Sequence, residues 1–142
     1  MSTHGLAIFD HSLQTANEWL NDINDQIGPD RQRAYHALRA VLQSLRDRLT
    51  VEEAADLAAQ LPLLIRGIYY EGWVPAKTPV KQRSAEEFLT TVGERLSGGP
   101  PINAEEATRA VFSVLKKHTE SGEIDDVAAM LPKHVRHMLE AA

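Results

Sequence analysis

The sequence predicts an all-α, compact helical bundle made of two tandem copies of a multi-helix unit related by internal duplication. Three observations carry this prediction. Apolar residues recur at helical spacing in long stripes; cap signals stand before those stripes; and the chain overlays itself at a constant shift of 70 residues.

The first stripe is Trp19, Leu20, Ile23 and Ile27. Gly28-Pro29 ends it, and Asp30 is placed to cap the next helix. That helix carries Ala34, Leu38, Val41, Leu42, Leu45 and Leu49 on one face. Thr50-Val51-Glu52-Glu53 then reads as a capping box, with Thr at the cap and Glu three residues on. It opens a short helix through Ala54, Leu57, Ala58 and Leu61. Leu61-Pro62 breaks that helix, because proline has no N–H and clashes with the preceding turn, and a further short helix follows. Residues 1–74 form the first unit, and residues 75–83, with Pro75 and Pro79, form a linker. The second unit, residues 84–142, repeats the signals. Ser84-Ala85-Glu86-Glu87 and Asn103-Ala104-Glu105-Glu106 are caps, Gly98 to Pro101 is a loop, and Leu131-Pro132 is the second break.

Residues 34–66 match residues 104–136 without a gap at thirteen of 33 positions, including Glu53/Glu123, Asp56/Asp126, Leu61-Pro62/Leu131-Pro132 and Arg66/Arg136. At a shift of 69, Ala16 to Leu20 overlays Ala85 to Leu89. Shared amphipathic patterning accounts for roughly 10–15% identity. One unit alone would expose its apolar faces, so the two are expected to pack together.

Composition narrows the function classes. The 142 residues are 43% hydrophobic and 25% charged, normal for a globular chain with a core. The net charge of −5 disfavours general binding to phosphate backbones, so nucleic acid is not the expected partner. The absence of cysteine excludes disulfides, thiolate metal sites and cysteine nucleophiles. Met1 to Asp10 lacks the basic-then-apolar pattern of a signal peptide, and no run is long enough to span a membrane. Cytoplasm is the expected location.

The segment from Leu57 to Pro75, most specifically Leu61-Pro62 through Trp73, resembles the DUF2267 family, as does the Glu87-Phe88-Leu89 segment followed by a second Leu-Pro unit. The likeness covers nearly the whole chain. It implies a helical fold, a bacterial source and, from the company that family keeps, an association with stress. The family's name marks a domain of unknown function, so the resemblance supplies no catalytic residues.

No catalytic residue, cofactor or metal is expected from the motifs. His134 and His137 share a helix face, but they need further ligands, for which only His118 and Glu120 offer themselves. The acid pairs Glu52/Glu53, Glu86/Glu87, Glu105/Glu106 and Asp125/Asp126 stand at helix starts, where capping and the helix dipole explain them. Arg39 and Arg46, with Arg109 and Lys116 at the equivalent places, form basic stripes that read as solvent faces or as a surface for an acidic partner. Arg66 and Arg136, in apolar surroundings, are expected to pair with acids, Asp56 and Asp126 being the matched candidates. The aromatic segment Tyr69-Tyr70-Glu71-Gly72-Trp73 has no twin in the second half. Arg66, Tyr69, Tyr70 and Trp73 fall at i, i+3, i+4 and i+7, and are the candidate binding residues. They are expected to join the two units, with one face open to a protein partner.

The reading is a non-enzymatic binding or scaffold protein. One alternative is a small-molecule-binding or enzymatic protein with a site between the halves near Trp73. Another is a nucleic-acid-associated protein using the Arg39/Arg46 stripe.

Overall fold

A computed structural model describes residues 5–142; His4 lies outside them. The described residues form eight α-helices and no strand. These are α1 (Ala7–Ile27), α2 (Arg31–Arg48), α3 (Val51–Gln60), α4 (Leu63–Tyr70), α5 (Ala85–Leu96), α6 (Ala104–His118), α7 (Ser121–Ala128) and α8 (Lys133–Ala141). A single 3-10 turn, Pro75–Lys77, lies in the linker. No helix is long and apolar enough to cross a membrane.

The four cap residues expected from sequence all accept a backbone N–H. Asp30 accepts from Gln32 and Arg33, Thr50 from Glu53, Ser84 from Glu87 and Asn103 from Glu106. Both Leu-Pro steps end one helix and begin the next, with Pro62 and Pro132 at the N-caps of α4 and α8.

Helices α2 and α6 are the axis of the molecule. Helix α2 packs against α1, α4, α5 and α6, and α6 packs against α1, α2, α5 and α8. Almost every apolar residue of both is buried, and Trp19, Phe88 and Phe112 fill the spaces around them. The helix contacts have an exchange symmetry. Replacing α1–α4 by α5–α8 and the reverse leaves the set of packed pairs unchanged: α1·α6 becomes α5·α2, α2·α4 becomes α6·α8, α1·α4 becomes α5·α8, and α2·α6 and α3·α7 map onto themselves. Self-mapping pairs are the pattern of an isologous interface. The ends of the α3–α7 seam obey the same rule. Thr50 Oγ1 lies 3.9 Å from Met130 Sδ, and the backbone N–H of Glu120 points to Gln60 Oε1 at 3.5 Å; both pairs join position i of one half to position j of the other.

The halves therefore meet through α1·α6, α2·α5, α2·α6 and α3·α7. For Tyr69 and Tyr70 the expected joining role is corrected: α4, which carries them, packs chiefly on α1, α2 and α3, within its own half, and Trp73 lies beyond that helix. Ion pairs tie the halves more directly. Arg95 of α5 donates to Asp47 Oδ2 at 2.6 Å and to Gln43 Oε1 at 2.9 Å on α2, and His118 of α6 stacks on Trp19 while bonding Asp22 Oδ2 at 2.9 Å.

Leu45 and Leu115 occupy equivalent, fully buried places on α2 and α6. Either Leu→Ala change is expected to cost about 2–5 kcal/mol in a denaturant titration. A loss under about 0.5 kcal/mol at one of them would mean that its helix face is exposed.

Candidate functional site

The aromatic segment sits where α4 ends, and two side chains of α2 hold that end in place. The last carbonyls of a helix lack intrahelical donors. Here Gln43 Nε2 donates to the carbonyl of Ile68 at 2.9 Å, and Arg46 Nη1 donates to those of Tyr69 at 2.9 Å and Glu71 at 2.8 Å. Arg46 is 2% exposed, and its Nε is held by Asp47 Oδ1 at 2.8 Å. The cation thus lies at the negative end of the α4 dipole and is fully engaged. Lys116, its counterpart, donates to the carbonyls of Glu140 at 2.8 Å and Ala142 at 2.9 Å at the end of α8.

This corrects the expected Arg39/Arg46 stripe. Arg46 is buried as a helix cap and does not offer a charge to phosphate. Arg39 meets Glu71 at 3.5 Å, and Arg109 meets Glu105 at 2.8 Å on its own helix.

The pairing expected for Arg66 and Arg136 is also corrected. Arg66 Nε donates to the carbonyl of Ala58 at 2.9 Å and Nη2 to that of Leu61 at 2.8 Å. Arg136 makes the same two bonds, to Ala128 at 3.1 Å and Leu131 at 3.4 Å. The proline explains both. Pro62 and Pro132 have no N–H to give to the carbonyl four residues earlier, which is that of Ala58 or Ala128. The arginine eight residues on supplies a donor there, so Asp56 and Asp126 are left for other contacts.

Of the four candidate binding residues, the structure brings Tyr70 and Trp73 together. Their rings stack at 5.2 Å with 25° between planes, and both are half-buried. Tyr69 is fully buried; its hydroxyl donates to the carbonyl of Ala54 at 2.8 Å, and burial pushes its phenol far above the ordinary range. Arg66 is turned toward the end of α3. The four side chains therefore do not share one open face: Trp73 lies beyond the last turn of α4, where Gly72 at φ 76° takes the left-handed conformation that carries the chain out of the helix. The Trp73 indole N–H is covered and has no acceptor. Val74, 47% exposed, continues the patch.

Three surface clefts are found, two away from the aromatic segment and one beside it. One of about 840 Å³ runs along α1 from Ala7 to Asn21, and one of about 500 Å³ lies between Gln82 and Thr91. The third, about 210 Å³, is bounded by Asp47, Gly72, Val74 and the linker residues Lys77, Thr78 and Val80. None of the three is lined by Arg66, Tyr70 or Trp73.

Sequence reasoning missed one cluster. Glu53 and Asp56 of α3 face Glu123 of α7, with one carboxylate oxygen of each within 4.8 Å of the others. The set contains no histidine and is assigned no metal. Glu53 and Glu123 each have an Oε2 that is covered and without a hydrogen-bond partner. The matched pairs Glu53/Glu123 and Asp56/Asp126 were the available signal, since residues repeated on both sides of a self-mapping contact meet each other. Of the histidines weighed as possible ligands, His118 is engaged by Asp22 and Trp19.

Replacing Arg46 by Ala leaves the buried carbonyl of Tyr69 and the partly covered one of Glu71 without that donor, and is expected to lower stability by about 2–4 kcal/mol. The Arg39→Ala change, at an exposed pair, should cost under about 1 kcal/mol. Equal effects in thermal unfolding would contradict the capping role of Arg46.

No curated protein matches the chain. Residues 16–138, from within α1 to within α8, match the family described as "Uncharacterized conserved protein (DUF2267)". With the match running across all eight helices, the chain belongs to the DUF2267 family, whose function is unknown.

Proposed function

We propose that this is a non-enzymatic, cytoplasmic, bacterial protein-binding or scaffold protein, and that its partner surface is the Tyr70–Trp73 stack with Val74 beside it. The observation that carries this reading is the way α2 holds the segment. Three main-chain carbonyls at the end of α4 are fixed by Gln43 and Arg46, so two half-buried aromatic rings are presented from a rigid support. Aromatic side chains with little conformational freedom to lose are efficient anchors at protein interfaces. Arg66 and Tyr69 serve the patch from behind, the first by tying α4 to α3, the second by filling the core beneath Tyr70.

The small-molecule alternative has support from the 210 Å³ cleft at Asp47, Gly72 and Lys77, next to the same segment. Its volume is below the usual range of ligand pockets, roughly 300–1,000 Å³, which is why it ranks second.

The two units are read as copies of one ancestral sequence. The support is the exchange symmetry of the helix contacts, the twin arginine bonds across the two Leu-Pro steps and the twin caps by Arg46 and Lys116. Overlaying residues 34–66 on 104–136 at a constant shift of 70 tests this; equivalent helices crossing at clearly different angles would count against it.

The partner surface is tested by native capture from the source bacterium, with the wild-type chain and Tyr70→Ser compared at equal melting temperature. The reading expects a protein held in near-stoichiometric amount by the wild type and lost, about tenfold or more, from the variant. The same proteins captured by both would remove the aromatic patch as the partner surface.

A further inference from the structure

The α3–α7 seam carries an unusual burden. It brings Glu53 and Asp56 on one helix against Glu123 on the other, with Asp126 one turn on from Glu123. Among the described residues no Lys, Arg or His forms an ion pair with any of these four carboxylates. The groups on the neighbouring elements are committed elsewhere. On α4, the Tyr69 hydroxyl is bonded to the carbonyl of Ala54 and Arg66 is turned to the carbonyls of Ala58 and Leu61. On α8, Arg136 is turned to those of Ala128 and Leu131. On α2, Arg46 caps α4 behind Tyr69. Glu53 is 7% exposed, so water does little to screen it.

Two ionised carboxylates in such a place repel, whereas one protonated and one ionised form a strong O–H···O⁻ bond. We propose that Glu53 and Glu123 share a single proton across the seam, and that its loss as pH rises loosens α3 from α7. The seam is then a pH-sensitive clasp between the two halves. Its opening exposes Ala54, Leu57 and Val127, which are fully buried when it is shut. This inference is independent of the aromatic patch.

The protonation energetics agree with the geometry. Burial, then a hydrogen bond donated to Glu53 and the charges of Glu53, Asp56 and Asp126, push the Glu123 carboxyl up to about 8. Burial is also the main reason that Glu53 is raised. An acid raised in the folded state stabilises the fold fully below its unfolded value of 4.5. That contribution is lost as pH rises from there through the folded value, and is gone above about pH 8.

The test is the pH profile of unfolding for the wild type and for Glu123→Gln, which keeps a donor for Glu53 but no proton to lose. The wild-type folded-to-unfolded ratio should fall between pH 5 and about 8, by up to about tenfold per pH unit, and then level off. In the variant that fall should be absent. A second measurement needs no variant: carbon NMR of the wild-type side-chain carboxyls should show one Glu titrating near 8, with α3 and α7 amide signals moving in the same titration. The proposal is overturned if every Glu titrates below about 6, or if both proteins give the same profile. It is equally overturned if millimolar Ca²⁺ or Mg²⁺ abolishes the wild-type fall, because a cation and not a proton would then fill the seam.

Discussion

Helices α2 and α6 have to be covered on nearly every side, and neither half has enough helices to do it. Each central helix is buried around much of its circumference, with Leu38, Val41, Leu42 and Leu45 on one and Val111, Phe112, Val114 and Leu115 on the other, all at or near zero exposure. Two packed neighbours from its own half, α1 and α4 for α2 and α5 and α8 for α6, leave a face open. That face is covered by helices of the other half. That requirement places α2 against α6, sends α1 across to α6 and α5 across to α2, and leaves α3 and α7 to meet at the remaining edge.

The polar groups follow from the same packing. Because α2 and α6 run past the ends of α4 and α8, they are where those helices find donors for their last carbonyls. Arg46 and Lys116 supply these donors from equivalent places. The two differ in a way that fits their surroundings: the planar guanidinium reaches two carbonyls and Asp47 at once in a buried site, while the ammonium works at the exposed chain end. The aromatic segment is held by the arginine version of this cap, and so differs from the second half both in its own residues and in the stiffness of its support.

Much of this was legible in the sequence where the physics is local. The caps at Asp30, Thr50, Ser84 and Asn103 depend on a side chain and the backbone two or three residues away, and the Leu-Pro breaks depend on a missing N–H. The residues misread were those whose partners are distant or are not side chains. Arg39 and Arg46 are seven apart and share a helical face, yet only Arg46 is covered, because α4 ends over that part of α2. For Arg66 an acid was expected, but it adds a donor to the carbonyl of Ala58, which Pro62 leaves without its usual i+4 donor and which otherwise accepts only from Leu61. Glu53 has the spacing of a capping-box glutamate, and its side chain turns instead to Glu123, which only the assembled seam brings near. Tyr70 and Trp73 do come together as the spacing suggested, while Tyr69, between them and the core, is too deeply buried to join their surface.

If the halves stabilise each other across α2 and α6, neither should unfold alone. Native-state hydrogen exchange is the most direct measure, because it reads the opening free energy of each helix separately. The slowest amides of α2 and α6 are expected to exchange only through global unfolding, with one shared free energy equal to that from denaturant. Slow exchange in α6 beside clearly faster, sub-global opening of α2, or the reverse, would show that one half stands without the other and would contradict the account.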